Sequence, residues 1–148
     1  MRKPISQRRR RTQAGLTLIE MLVVVTIIAV FVAVVGPRIL GRADMAKKTA
    51  VRQQINSFST ALGAYKLDTS LFPSTEQGLK ALREKPEGVN GWQGPYLPQE
   101  VPSDPWGRAY VYKYPGEHGD EPDIISYGAD GQPGGSDINE DIVSWKSK

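Results

Sequence analysis

The chain has 148 residues and a formal net charge of +3, with 19 Lys and Arg against 16 Asp and Glu. It contains no cysteine, so disulfide bonds are excluded as a source of stability. Six of the basic residues fall in the first 15 positions, and the remaining 13 Lys and Arg stand against 16 Asp and Glu, a net charge of −3. No basic cluster outside the first 15 residues has the density of a phosphate-binding surface, so we expect no nucleic-acid partner.

The N-terminal segment is basic and is followed by a nearly unbroken apolar run from Leu16 to Val35. Such a run of about 20 residues can span a bilayer core of about 30 Å. The apolar part of an ordinary secretory signal is shorter, about 7–15 residues, and its small cleavage residue comes after it. A twin-arginine signal is the alternative for Arg8–Arg11, and the length of the run argues against it. The positive-inside rule then places the basic segment in the cytoplasm.

The apolar run contains a single carboxylate, Glu20. A charge at that depth in a membrane costs about 2.5–3.5 kcal/mol on insertion scales. Because the run itself offers no cation, we expect the partner of Glu20 to come from another molecule.

The first predicted element is a helix from about Leu16 to about Leu67. Gly36 and Pro37 interrupt it, and a proline inside a helix removes a backbone hydrogen bond. We therefore predict a kink, or a segment that can melt, near Gly36–Gly41. The alternative is that the membrane span ends there, but a helical pattern resumes after Gly41.

The second half of this helix is predicted to be amphipathic. Its apolar side chains recur every three or four residues, which places them on one stripe: Val51, Ile55, Phe58, Leu62 and Tyr65. We expect the stripe to cover one face of a small sheet.

The middle of the chain is predicted to hold a short helix and an ordered loop. Ser74 and Gln77 have the spacing of a capping box, which predicts a helix through about Glu84. Residues 86–107 are rich in proline and glycine, and their bulky side chains should be buried: Trp92, Tyr96, Leu97 and Trp106.

Three strands are predicted beyond that loop. Residues 108–114 alternate, with three tyrosines on one face: Tyr110, Tyr112 and Tyr114. Residues 123–127 form a second strand, antiparallel to the first. A last short strand is predicted to involve Ile142, Val143 and Trp145.

The residues offer no basis for an enzyme. The single histidine, His118, lies in a polar loop, where we expect it to be solvated. The chain has no cysteine nucleophile, and we find no phosphate-binding glycine loop and no serine in a nucleophile elbow.

Residues 128–141 combine glycines with oxygen-bearing side chains, namely Asp130, Asp137, Asn139, Glu140 and Asp141. Ca²⁺ takes six to eight oxygen ligands, some of them backbone carbonyls, in flexible geometry. The spacing is not that of an EF-hand, and a solvated polar loop is the alternative.

Several segments carry a family resemblance. Gly15-Leu16-Thr17-Leu18-Ile19-Glu20 resembles the cleavage site of type IV pilin-like proteins, and Pro37 lies where their helices commonly carry a proline. Three later regions are similar to major pseudopilins of type II secretion: Tyr65–Asp68 with Phe72–Leu79, Asp104–Gly107, and Ser126–Gly131 with Asp141, Ile142 and Trp145. The resemblance covers nearly the whole chain.

The resemblance implies an α+β, type IV pilin-like fold, in which a long N-terminal helix packs on a small antiparallel sheet with a C-terminal calcium loop. Residues 1–15 would be a leader removed by prepilin peptidase, with cleavage between Gly15 and Leu16 and N-methylation of Leu16. Residues 16–40 would form the transmembrane and assembly helix, and residues 41–148 the periplasmic globular domain. Leu16 departs from the family pattern, in which phenylalanine is commoner at that position.

The implied function is that of a structural subunit which polymerises into the periplasmic pseudopilus and drives protein export. The implied partners are further copies of the chain, minor pseudopilins, the prepilin peptidase, the inner-membrane secretion platform and inner-membrane lipid. Glu20 would neutralise the α-amino group of a neighbouring subunit, and Glu20 and Pro37 are the predicted assembly residues.

The resemblance also implies Ca²⁺ in the C-terminal loop. Asp130 and Asp141 would be its side-chain ligands and Tyr127 a backbone-carbonyl ligand, with Asp137 and Glu140 as weaker candidates. Two alternatives stay open: a type IV pilus subunit, or a membrane-anchored calcium-binding periplasmic module that does not polymerise. The first commonly has a disulfide-closed loop, and the second predicts neither cleavage at Gly15 nor a need for Glu20.

Overall fold

The computed structural model describes residues 17–146, without the side chains of residues 36–40. Gly15 and Leu16 therefore lie outside the described residues. By its internal contacts the chain divides into two units between Leu40 and Gly41.

The long helix, α1 (Leu18–Thr69), begins directly after Thr17, whose hydroxyl oxygen accepts the backbone N–H of Glu20 at 3.3 Å. Such a contact caps a helix N-terminus. The helix continues through residues 36–41, so α1 does not end there, while a kink and the point at which the membrane span ends stay predictions. At its other end α1 extends to Thr69 rather than Leu67.

The first unit contains the apolar half of α1. Within the described residues, Leu18–Val35 is an 18-residue window of mean hydropathy 3.0, long and apolar enough to cross a membrane. In the part of the chain that the structure describes, none of this window is buried. Its side chains therefore need lipid or another protein around them.

The second unit packs the rest of α1 against a three-stranded antiparallel sheet. Its strands are β1 (Val111–Lys113), β2 (Asp123–Ser126) and β3 (Ile142–Val143), in the order β1-β2-β3. Tyr112 lies opposite Ile124 in the first pair, and Ser126 lies opposite Ile142 in the second.

The predicted stripe of α1 forms the centre of the core. All five of its side chains are at most 2% exposed: Val51, Ile55, Phe58, Leu62 and Tyr65. The loop aromatics Trp92, Tyr96 and Trp106 pack on this core but are only partly buried, whereas Leu97 is buried within it as predicted. The amphipathic pattern thus identified the buried face of the helix correctly.

The tyrosines of the first strand also pack on the core. The Tyr110 ring meets that of Phe58 edge-to-face at 5.1 Å, and the Tyr114 ring meets that of Phe72 at 5.3 Å. Tyr112, which lies between these two tyrosines in the sequence, is buried, and its hydroxyl donates to the Pro73 carbonyl at 2.8 Å. Their predicted common face is confirmed, although regular pairing is limited to residues 111–113.

The short helix predicted through Glu84 differs in kind. The capping box forms, since Ser74 N–H donates to Gln77 Oε1 at 2.9 Å and Gln77 N–H donates to Ser74 Oγ at 3.3 Å. Gly78 then has φ 58°, which an α-helix cannot contain, and only a 3-10 helix follows at Leu79–Leu82.

The end of the chain also departs from prediction. Only Ile142 and Val143 form the last strand, and Trp145 lies in the 3-10 turn Ser144–Lys146. From this turn, the Trp145 ring stacks on the His118 ring with centroids 3.6 Å apart.

Candidate functional site

The described part of the N-terminal region places Glu20 in the first turn of α1, where its side chain is exposed. A carboxylate in a first turn is favoured by the positive end of the helix dipole. Pro37 lies within α1, and its backbone is helical.

The second region of interest is the loop 128–141, whose two ends lie side by side. Gly128 has φ 57°, and a Cβ atom there would come within 3.0 Å of backbone atoms of residues 138–140. Ala129 N–H donates to the Ile138 carbonyl at 3.0 Å. Glycine is therefore required at the entry, where the chain leaves β2.

A buried polar network connects to the first residue of the loop, Gly128. Asp104, which is 4% exposed, accepts the Trp106 and Arg108 backbone N–H groups through Oδ1 and the Ser126 hydroxyl through Oδ2. The Arg108 guanidinium in turn donates to the Gly128 carbonyl at 2.9 Å. The turn at Asp104–Gly107, where the Gly107 N–H donates to the Asp104 carbonyl at 2.8 Å, is thus tied directly to the loop.

The exit of the loop contains an unusual oxygen. Asp141 Oδ2 accepts the Gly134 N–H at 2.8 Å, whereas Asp141 Oδ1 is buried and has no hydrogen-bond partner. A buried anionic oxygen left unpaired is costly. A hard cation beside it would supply the missing partner.

The other predicted ligands differ from Asp141 in their exposure and in their hydrogen bonds. Asp130 Oδ1 accepts the Gln132 N–H at 3.1 Å, and the Tyr127 carbonyl accepts the Gly131 N–H at 3.1 Å. Asp130 and Asp137 are exposed, and Asp137 has φ 52°.

Glu140 is engaged with the long helix. Its Oε2 lies 2.9 Å from Nζ of Lys48, which is only 18% exposed. The bonded Lys48 ammonium lowers the pKa of the Glu140 carboxyl.

Four of the five predicted ligands lie in the loop 128–141 and Tyr127 directly precedes it, but they do not form a compact side-chain cluster. Across residues 17–146 no group of three or more His, Asp or Glu side chains is arranged to hold a metal. A cation site here would therefore depend on backbone carbonyls as well as on Asp141, which is the donor chemistry that Ca²⁺ accepts.

His118, which we expected to be solvated, has two defined partners. Its Nδ1 lies 2.9 Å from Oδ2 of Asp123, whose side chain is 5% exposed, and its ring stacks on Trp145. These contacts tie the loop between β1 and β2 to the end of the chain. Asp123 lies only five residues from His118, but no motif in the polar loop marked the pair. The stacking on Trp145 joins residues remote in sequence, about which periodicity carries no information.

The comparisons with known proteins bear on both regions. Residues 38–145 match the family described as Type II secretion system (T2SS), protein G. The chain belongs to the type II secretion system protein G family. Residues 10–36 match the prokaryotic N-terminal methylation motif, which includes the region around Gly15 and Glu20.

Relatives of the protein G family match along most of their length. The type II secretion system core protein G of Pseudomonas aeruginosa is 45% identical over 139 residues, covering 92% of this chain and 97% of that one. The core protein G of Vibrio cholerae is 40% identical over 141 residues, covering 93% and 95%.

A solved relative of the protein G family shares the fold. The major pseudopilin from the type 2 secretion system of enterohaemorrhagic Escherichia coli superposes with a TM-score of 0.63 at 35% identity, covering 72% of this chain and 89% of that one. The predicted pilin-like α+β fold and the predicted family are both confirmed.

Proposed function

We propose that the protein is a structural subunit of the pseudopilus of a type II secretion system, held before assembly by a single membrane-spanning helix. Membership of the protein G family is the observation that carries this function. The apolar half of α1 supports it, because within the described chain nothing covers Leu18–Val35. Lipid would surround this segment before assembly, and other subunits afterwards.

Processing is the first step of the proposed pathway. Prepilin peptidase would cut between Gly15 and Leu16, and Leu16 would be methylated, in keeping with the methylation motif matched at residues 10–36. The basic leader would lie in the cytoplasm and residues 41–148 in the periplasm. The secretion platform and minor pseudopilins would then be the partners of assembly.

Mass spectrometry of the N-terminus from cells tests this step. We expect a mature chain that begins with methylated Leu16. Glycine at position 15 is the residue to vary, and a bulky substitute there should leave the leader attached. A native chain that retains its first 15 residues would contradict the proposal.

Glu20 would set the register of assembly. Cleavage creates an α-amino group on Leu16, and both that group and the Glu20 carboxylate are costly in lipid. Pairing Glu20 of one subunit with the amino group of its neighbour would relieve both charges. Its exposed position in the first turn of α1 leaves the carboxylate open to such a partner.

The matched variants Glu20→Gln and Glu20→Asp test the charge separately from the shape. At about 2.5–3.5 kcal/mol for an uncompensated charge, Glu20→Gln should lower the subunit association constant roughly 100-fold. We expect normal leader cleavage but little sheared filament from Glu20→Gln, and substantial filament from Glu20→Asp. Wild-type filament yield from Glu20→Gln would rule out the role.

We also propose that the loop 128–141 binds Ca²⁺. Asp141 and Asp130 would supply side-chain oxygens and Tyr127 a backbone carbonyl, with Asp137 as a further candidate. The unpaired buried Oδ1 of Asp141 supports this assignment. We assign Glu140, whose carboxylate is bonded to Lys48, to the support of the loop. The bound ion would neutralise the acidic loop and join its two ends.

Thermal unfolding of the full-length protein in detergent tests the calcium proposal. A ligand present at 100 times its dissociation constant adds about 2.7 kcal/mol to the free energy of unfolding. We expect Tm to rise between chelator and millimolar Ca²⁺ in the wild type and in the control Asp120→Asn, an exposed acid outside the loop. Asp141→Asn should lose that rise. The absence of any rise in the wild type would remove the calcium site.

A further inference from the structure

The loop 128–141 carries four acids and no Lys, Arg or His of its own. Two cationic side chains from distant parts of the chain contact it, one at each end. Arg108 contacts the entry, and Lys48 contacts the exit.

Arg108 holds the entry in a defined position. Its backbone N–H donates to Asp104 Oδ1 at 2.8 Å, which fixes where the side chain starts, and its guanidinium donates to the Gly128 carbonyl at 2.9 Å. The same side chain passes so closely beneath Gly131 that a Cβ atom there would clash with Nε. The loop is therefore shaped around the arginine.

Lys48 holds the exit. The Lys48 Nζ lies 2.9 Å from Oε2 of Glu140. Lys48 belongs to α1 and precedes Val51, a residue fully buried in the core, by three positions. Glu140 directly precedes Asp141, whose buried Oδ1 has no partner. The ion pair thus fixes the backbone beside the oxygen that a cation would need.

We propose that Arg108 and Lys48 form a two-point clamp that positions the two ends of the loop 128–141 for a divalent cation. The clamp rests on the proposed calcium function and assigns both residues as positioning residues rather than ligands. A loop held in its binding conformation loses less entropy when the cation arrives. Groups that support metal ligands from outside typically alter affinity 10–100-fold when they are removed.

The charge of the two residues makes the direction of the effect diagnostic. If Arg108 and Lys48 acted on the cation only through Coulomb repulsion, their removal would tighten binding. If they position the loop, their removal weakens binding. A role confined to general stability would lower Tm in chelator and leave the dissociation constant unchanged.

Calorimetric titration of the full-length protein in detergent with Ca²⁺ measures this direction. Lys48→Met and Arg108→Met should each raise the dissociation constant about tenfold or more. Lys48→Arg, which keeps the charge and a donor for Glu140, should retain most of the affinity. The control Lys80→Met, an exposed cation on the 3-10 helix, should match the wild type.

The outcomes separate the clamp from the calcium site itself. A wild type that releases no heat of binding overturns both proposals. A wild type that binds, together with Lys48→Met at equal or lower dissociation constant, overturns the clamp alone. If Arg108→Met fails to fold, Arg108→Gln serves in its place, because the shorter, neutral side chain loses the guanidinium that donates to the Gly128 carbonyl, and an unchanged dissociation constant there counts equally against the clamp.

Discussion

Replacement of Asp104 should show how strongly the buried network holds the turn and the loop entry together. Asp104 is 4% exposed and accepts three hydrogen bonds, from the N–H groups of Trp106 and Arg108 and from the Ser126 hydroxyl. Asp104→Ala leaves three donors without their partner. At about 1–2 kcal/mol for each, the free energy of unfolding should fall by about 3–6 kcal/mol.

Asp104→Asn is the matched variant. Its Oδ1 can keep both backbone N–H groups, and its amide can donate to Ser126 Oγ, which accepts as readily as it donates. Only the charge assistance is lost, so we expect a decrease of about 1 kcal/mol. Ser126→Ala, which removes one of the three bonds, should also lower the free energy by about 1 kcal/mol.

Thermal unfolding in excess chelator is the appropriate assay, since it removes any contribution from bound metal. One kcal/mol corresponds to about 4–8 °C in Tm for a domain of about 100 residues. Asp104→Ala should therefore melt at least about 12 °C below the wild type, and Asp104→Asn well above Asp104→Ala. Equal Tm values for the alanine and asparagine variants would refute the hydrogen-bond reasoning, as would a wild-type Tm in Asp104→Ala.

Two further predictions concern the core and its tyrosines. Phe58→Ala, at a side chain that is 0% exposed, should lower the free energy of unfolding by about 3–5 kcal/mol. Leu67→Ala, at a side chain that is 87% exposed, should change that free energy by no more than about 0.5 kcal/mol. Chemical denaturation measures both, and comparable losses would contradict the assignment of the buried face. Burial raises the pKa of Tyr110 to about 12, with Asp104 adding to the shift, and burial also raises the pKa of Tyr112. Because the folded state holds these protons more tightly, their contribution to stability is complete below about pH 10 and is lost as the pH rises towards 12. Absorbance titration of the phenolates should show this delayed ionisation, Tyr110→Phe should reduce the alkaline loss of stability, and a Tyr110 that ionises at its ordinary pKa would count against the packing described.

Local patterns carried much of the prediction. The length and apolarity of Leu16–Val35 and the three-and-four spacing of the stripe depend only on residues near one another, and they located α1 and its buried face. The capping box at Ser74 and Gln77 formed for the same reason. The capping box did not lead to an α-helix, because Gly78, the residue directly after Gln77, has a positive φ of 58°.

The candidate site was only partly accessible to prediction. Composition identified the acidic loop, and the family resemblance selected its ligands, but neither could tell which carboxylates have partners. Glu140 bonds to Lys48 across 92 residues of sequence, while Asp141 keeps an unpaired oxygen. This difference between neighbouring acids depends on which side chains, distant in sequence, the fold places next to them.

The sequence by itself determined the membrane-length helix, the isolated acid at Glu20, the buried stripe and the family of this protein, because each is written in residue type and short-range spacing. Only the tertiary structure decided that Arg108 and Lys48 grip the two ends of one loop, and that His118 rests on Trp145. Those contacts join segments that are remote along the chain, and their distances are set by the packing of α1 against the sheet, which no local pattern encodes.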